Sequence, residues 1–279
     1  MDATMMHEPL GTATIMAHGE RIHANSRIGL FDGEQVTWRS YAETAERARR
    51  LAAALQAAGV GPNTRVATLS WNDFAHFEAY LAVPAMGAVL HTLNLRLHPD
   101  QLRYIIADAE DAFLIADGSL LAGLLPQMNA SDKLVRIIVT GDTTGLAELE
   151  KPWTPYEAFV AEHAPLADFP VPDEAAAAAT CYTSGTTGDP KGVVYSHRTI
   201  FLHSMASMAA NAFALRESDT ILLLPPMFHA NAWGLPFSGW LAGADFVLPG
   251  PHLQPEAIRA MIRATAPTFT ATVPTILND

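Results

Sequence analysis

Residues 181–197 read Cys181-Tyr-Thr-Ser-Gly-Thr-Thr-Gly-Asp-Pro-Lys-Gly-Val-Val-Tyr-Ser-His197 and carry the densest chemistry in the chain. Thr183, Ser184, Thr186 and Thr187 set four hydroxyls around Gly185. Gly188 then permits a tight turn, Pro190 stiffens it, and Lys191 adds a positive charge. Such a loop offers backbone N–H groups, hydroxyl donors and an ammonium to one anion, and a polyphosphate is the obvious ligand. It is not a Walker A loop. That motif needs Gly-Lys-Ser/Thr running into a helix, whereas here Pro190 precedes the lysine, Gly192 follows it, and Val193-Val194-Tyr195 reads as strand. The phosphate is therefore expected to be held by hydroxyls and turn amides between two strands. A plain surface hairpin is the commoner fate of Gly/Ser/Thr-rich sequence, but the placing of the lysine after the hydroxyls favours the anion site.

The 279 residues are 49% hydrophobic and 16% charged, so the chain is globular and long enough for one large or two smaller units. The net charge of −12 argues against nucleic acid, which needs a basic face. The single cysteine, Cys181, allows no internal disulfide. It follows an alanine run and reads as a buried small hydrophobe. No signal peptide is evident, and no apolar run reaches the length of a membrane span. A cytoplasmic protein is expected, with peripheral membrane contact still open.

Upstream of the loop, residues 1–25 show little periodicity. Residues 27–38 read as a hairpin with an Asp32-Gly33 turn. Ser40 and Glu43 form a capping box that starts a helix ending near Gly59. From Pro62 strand and helix alternate: strands at 65–70, 88–93, 112–117 and 135–140, helices at 73–86, 99–109 and 120–128. Residues 141–173 are looser, with one short helix near 156–163. Downstream, a helix is expected over 197–215 with Met205 and Met208 in the core, then strands at 220–224, 246–248 and 268–273 and a helix at 255–264. Alternation of this kind predicts an α/β fold: stacked layers of helices and mainly parallel sheets. Residues 62–195 are expected to form a first α/β subdomain, and 27–61 with 196–279 a second. Exposed sheet edges would allow a homodimer.

The other notable cluster is Pro225-Pro-Met-Phe-His-Ala-Asn-Ala-Trp-Gly234, a loop leading into a short helix. It joins His229, Asn231 and Trp233 in an apolar frame after a strand, where open α/β sheets bind ligands. His229 could meet a carboxylate or phosphate and Trp233 could wall an apolar pocket. On pattern alone, core aromatic packing with one satisfied histidine remains the alternative. The other histidines show no metal-ligand spacing, and no nucleophile elbow is present.

Thr183 to Gly192, followed by Ser196-His197, resembles the nucleotide loop of the adenylate-forming superfamily. The Pro-Met-Phe-His-x-Asn-x-Trp segment resembles that of its medium- and long-chain fatty acyl-CoA synthetases. Thr272-Val-Pro-Thr-Ile276 and Asn94-Leu-Arg-Leu-His98 resemble further segments of that group. The resemblance implies ATP, Mg2+ and CoA, with a fatty acid as substrate. It implies that Thr183, Ser184, Gly185, Thr186, Thr187, Gly188 and Lys191 wrap the phosphates, and that Thr183 helps hold the metal. It implies catalytic roles for Lys191 and His229, and places His229, Asn231 and Trp233 at the acyl site. The family's acidic Mg2+ ligand, ribose-binding Asp and small C-terminal domain with its lysine fall beyond residue 279. The expectation is therefore the front half of an ATP-dependent fatty acid–CoA ligase, the alternative being a non-catalytic nucleotide- or acyl-binding remnant.

Overall fold

The computed structural model describes residues 4, 5, 7–171, 173–183 and 189–273. Among the described residues twelve strands run in chain order: β1 Arg27–Phe31, β2 Val36–Ser40, β3 Arg65–Leu69, β4 Val89–Thr92, β5 Phe113–Asp117, β6 Arg136–Thr140, β7 Trp153–Pro155, β8 Ala177–Thr183, β9 Lys191–Ser196, β10 Thr220–Leu222, β11 Asp245–Leu248 and β12 Phe269–Thr270. The helices are α1 Thr12–Ile22, α2 Tyr41–Ala57, α3 Phe74–Ala85, α4 Pro99–Asp108, α5 Gly118–Leu121, α6 Leu125–Asn129, α7 Tyr156–Ala161, α8 His197–Met208, α9 Leu235–Ala242 and α10 Pro255–Thr265.

The strands form two sheets. One has the order β12-β10-β11-β1-β2 and the other β7-β6-β5-β3-β4-β8-β9. Every pairing is parallel except the hairpin β1–β2 and the pair β8–β9. Side-chain alternation divides each strand between two cores. On β5, Phe113 and Ile115 join the large core between the sheets, while Leu114 and Ala116 join a second core under α4 and α6. On β10, Ile221 faces the large core and Leu222 packs towards Met261 of α10. The result is five layers, helix–sheet–helix–sheet–helix, the architecture expected from the βα alternation.

The middle layer holds α1, α2, α3, α8 and α9. Helix α3 is buried on all sides, as its largely apolar sequence requires. Its two polar residues are satisfied. His76 bonds Thr68 Oγ1 and the Trp71 carbonyl, and burial depresses its pKa to about 4. Glu78 accepts from Arg39, Arg47 and Tyr156. The capping box at Ser40 and Glu43 is formed as expected.

Several elements depart from the sequence reading. Helix α1 was not expected, because its N-cap is Gly11 with no side-chain bond. Tertiary contact makes it. A Cβ on Gly19 would lie 2.2 Å from the Trp240 indole, so glycine alone admits that ring, which donates to the Met16 carbonyl. Helix α8 stops at Met208 rather than Leu215. Ser204 and Ser207 bond back to the carbonyls four residues earlier, and Ala209 turns extended. Met205 is half-exposed, not core; Ile200 and Ser204 take the buried stripe instead. Strand β7 sits in the stretch read as loose, beside β6.

Candidate functional site

Strands β8 and β9 supply one wall. Their ladder pairs Ala179 with Tyr195, Cys181 with Val193, Tyr182 with Gly192 and Thr183 with Lys191. Alternation puts Thr183, Cys181, Lys191 and Tyr195 on the same face, the one towards the helices between the sheets. Thr183 and Lys191 are exposed at the strand ends, directly opposite each other. Ser184, Gly185, Thr186, Thr187 and Gly188 lie outside the described residues. On the reverse face, Tyr182 donates to Asp108 at 2.6 Å and its ring lies where a Cβ on Gly192 would come within 3.2 Å. The glycine after the lysine is thus explained by close ring packing.

Cys181 is buried, and burial raises its thiol above the usual range, consistent with an inert core thiol. Burial likewise pushes the Tyr195 phenol up to about 12. Ser196 caps α8 by accepting from the Thr199 N–H. His197 turns inwards, its Nδ1 2.9 Å from Thr12 Oγ1, and ties α8 to α1.

An apolar cavity of about 350 Å³ lies next to this wall. It is bounded by Tyr195, Ile200, His203, Phe213, Trp233 and Phe237, with Asn231 beside them. Of the residues picked from the 225–234 segment, Asn231 and Trp233 line the cavity. His229 is exposed and does not.

The segment leads into no ordinary helix. Ala230, Asn231, Ala232 and Trp233 all have φ between 45° and 56°, followed by Gly234 at 74°. This left-handed turn is disfavoured for L-residues by roughly 1–2 kcal/mol at each. Surrounding contacts impose it. His203 Nε2 lies 2.9 Å from the Trp233 carbonyl, the Ala232 N–H donates to the His229 carbonyl, and Tyr80 donates to the Met227 carbonyl. A Cβ on Gly234 would fall 2.5 Å from the His203 ring. Tyr195, His203 and Phe213 were missed by the sequence reading. The only signal was the helical spacing of Thr199, Ile200 and His203 after the Ser196 cap.

The two further landmarks have local roles or lie out of view. Asn94 Oδ1 accepts from the Arg96 N–H, and His98 caps α4 with Gln101. Of residues 272–276, those from 274 on lie outside the described residues. Among the described residues no three His, Cys, Asp or Glu side chains gather as a metal site. The Thr183 hydroxyl is an exposed hard oxygen, the donor type Mg2+ accepts alongside phosphate oxygens. No helix of the described residues is long and apolar enough to cross a membrane.

Residues 17–279 match the AMP-binding enzyme family. The chain belongs to the AMP-binding enzymes. It is 43% identical over 276 residues to a long-chain-fatty-acid–CoA ligase of Thermus thermophilus, covering 98% of this chain and 49% of the relative. It is 36% identical to a medium-chain-fatty-acid–CoA ligase of Ectopseudomonas oleovorans, covering 98% and 50%. Among solved structures, a long-chain-fatty-acid–CoA ligase from Archaeoglobus fulgidus shares the fold with a TM-score of 0.84 at 21% identity, covering all of this chain and 55% of the other. The chain therefore spans about half the length of the curated relatives it matches.

Proposed function

We propose that this AMP-binding chain serves ATP-dependent activation of a medium- or long-chain fatty acid, first to acyl-AMP and then to acyl-CoA. The observation that carries the reading is the common face of β8 and β9. Thr183 and Lys191 stand at one end of it, and Tyr195, a wall of the apolar cavity, stands a few residues along. An anion held at the strand ends would have its apolar partner within reach in the cavity. The relatives' names, fatty-acid–CoA ligases, agree with that pairing.

In the reaction the substrate carboxylate attacks the α-phosphorus of ATP, the bond to pyrophosphate breaks, and acyl-AMP remains. The CoA thiolate then attacks the acyl carbon and AMP leaves. Catalysis of such a transfer rests on positioning and charge stabilisation. Lys191 offers its ammonium to the phosphates, with the residues 184–188 between it and Thr183. Thr183 offers a hydroxyl oxygen to Mg2+, which when bound neutralises phosphate charge. Asn231 and Trp233 would border the acyl group, and His229, exposed outside the cavity, would meet the polar end of the substrate. Residues 62–195 and 27–61 with 196–279 form two α/β subdomains in this reading, supported by the separate sheets of β3–β9 and of β1, β2 and β10–β12.

The test is fatty-acid-dependent ATP–pyrophosphate exchange by the intact protein. Lys191→Ala removes a charged hydrogen-bond donor and is expected to lower exchange by about 10- to 100-fold. Its thermal midpoint should stay unchanged, because Lys191 is exposed. Exchange at the wild-type rate would overturn the assignment.

A further inference from the structure

We propose that Asn72, far from the motif loops in sequence, is a positioning residue for the acyl wall. This rests on the reading of the cavity as the acyl site. Asn72 follows β3 and is buried between the carboxyl ends of the two sheets. Its Nδ2 donates to the Leu223 carbonyl at 2.8 Å and the Pro225 carbonyl at 2.9 Å. Its Oδ1 accepts from the Met227 N–H at 2.8 Å. Its own carbonyl accepts from the Gly250 N–H at 3.0 Å, just after β11. One side chain thus joins the end of β3 to the segment after β10, and its backbone joins that of β11.

The partners fix the chemistry. Two carbonyls demand two donors and one N–H demands an acceptor, which among side chains of this length only a carboxamide supplies. The same partners fix which end of the amide is nitrogen. The atoms it holds lie at the root of the strained turn. From Met227 the chain passes to the His229 N–H, which bonds the Pro226 carbonyl, and then directly into the left-handed residues 230–233. Tyr80 reinforces the same point through the Met227 carbonyl and, at 3.4 Å, Asn231 Oδ1. Asn72 hydrogen-bonds none of the residues that line the cavity, so it acts through the loop that carries Asn231 and Trp233.

Asn129 provides a comparison with the same carboxamide chemistry at a more exposed place. Its Nδ2 donates to the Glu148 carbonyl at 2.8 Å and its Oδ1 accepts from the Glu150 N–H at 2.9 Å, clamping a loop that contributes nothing to the cavity. The experiment compares Asn72→Ala, Asn72→Asp and Asn129→Ala in the 279-residue chain. Three quantities are measured: the thermal midpoint and, below the unfolding transition, acrylamide quenching of Trp233 (by difference from Trp233→Phe) and the affinity for a fluorescent decanoic acid analogue. Both Asn72 variants should weaken probe binding roughly tenfold, as expected for stranding buried polar partners. Both should increase the quenching of Trp233, while Asn129→Ala moves neither readout. Asn72→Asp keeps the size of the side chain but turns an acceptor towards two carbonyls. If that repulsion prevents folding, the alanine variant decides the matter. Wild-type quenching and affinity in the Asn72 variants, with only the midpoint lowered, would overturn the proposal. A wild-type chain that fails to bind the probe would instead overturn the acyl reading of the cavity, leaving the Trp233 quenching to decide Asn72.

Discussion

Thr183 and Lys191 close an antiparallel ladder that keeps one register from Ala179 to Thr183, and both are exposed at the ends of adjacent strands. Ala230–Trp233, across the cavity, adopt four consecutive left-handed conformations and depend on contacts from α3, α8 and the end of β3. One wall is local and unstrained, so its geometry follows from two strands and their register. The other is imposed from outside, so its geometry is only as firm as its supports. Substitutions on the first wall should change ligand binding and leave folding alone. On the second they should change both.

The largest expected break of that contrast is Gly234→Ala. The added Cβ meets the His203 ring at 2.5 Å and must adopt φ near 74°. Loss of about 2 kcal/mol is expected in urea unfolding, from left-handed strain and displacement of the ring that holds the Trp233 carbonyl. Unchanged stability would show that the turn is not strained as described.

A smaller effect sharpens the picture at the supporting end. Asp73 follows Asn72 and caps α3, accepting from the His76 N–H and the Ser70 hydroxyl. Burial raises its carboxyl to about 6. The fold thus favours the neutral acid: the stability it contributes is complete below its ordinary pKa near 4 and is lost as pH rises through about 6. Asp73→Asn should be more stable than wild type at pH 8, by about 1 kcal/mol given the half-buried site and solvent screening. The difference should vanish below pH 4. A constant difference across pH would contradict the raised pKa.

The smallest effect concerns α8. Met205→Lys should change stability by less than about 0.5 kcal/mol, since Met205 is half-exposed. A loss of several times that amount would return Met205 to the core.

These contrasts also explain what was legible in the sequence. The alternation from Arg65 to Thr140 was readable because apolar residues recur at strand and helix periods, and α2 before it because the Ser40–Glu43 capping box marks its start. The Thr183–Lys191 wall was readable because its chemistry is contiguous. Helix α1 was not, because Trp240 rather than a cap secures it. The left-handed turn was not, because Ala230, Asn231, Ala232 and Trp233 carry no glycine to announce positive φ. Nor was Asn72, whose partners lie 151 to 155 residues away. His203 shared this fate: its spacing fits a helix face, but only Trp233, 30 residues on, makes it part of the site.

The central claim is that the Thr183–Lys191 wall, proposed to hold phosphate, and the apolar cavity belong to one site. The most direct measurement is the affinity of this chain for a series of alkyl-AMP esters of two to ten carbons, set against AMP itself. If the alkyl group enters the cavity, each added methylene contributes about 0.8 kcal/mol, so affinity should rise roughly fourfold per carbon until the cavity is filled. Lys191→Ala should lower the whole series while preserving that slope. Affinities that do not change with chain length would show that the cavity and the phosphate wall are not parts of one site.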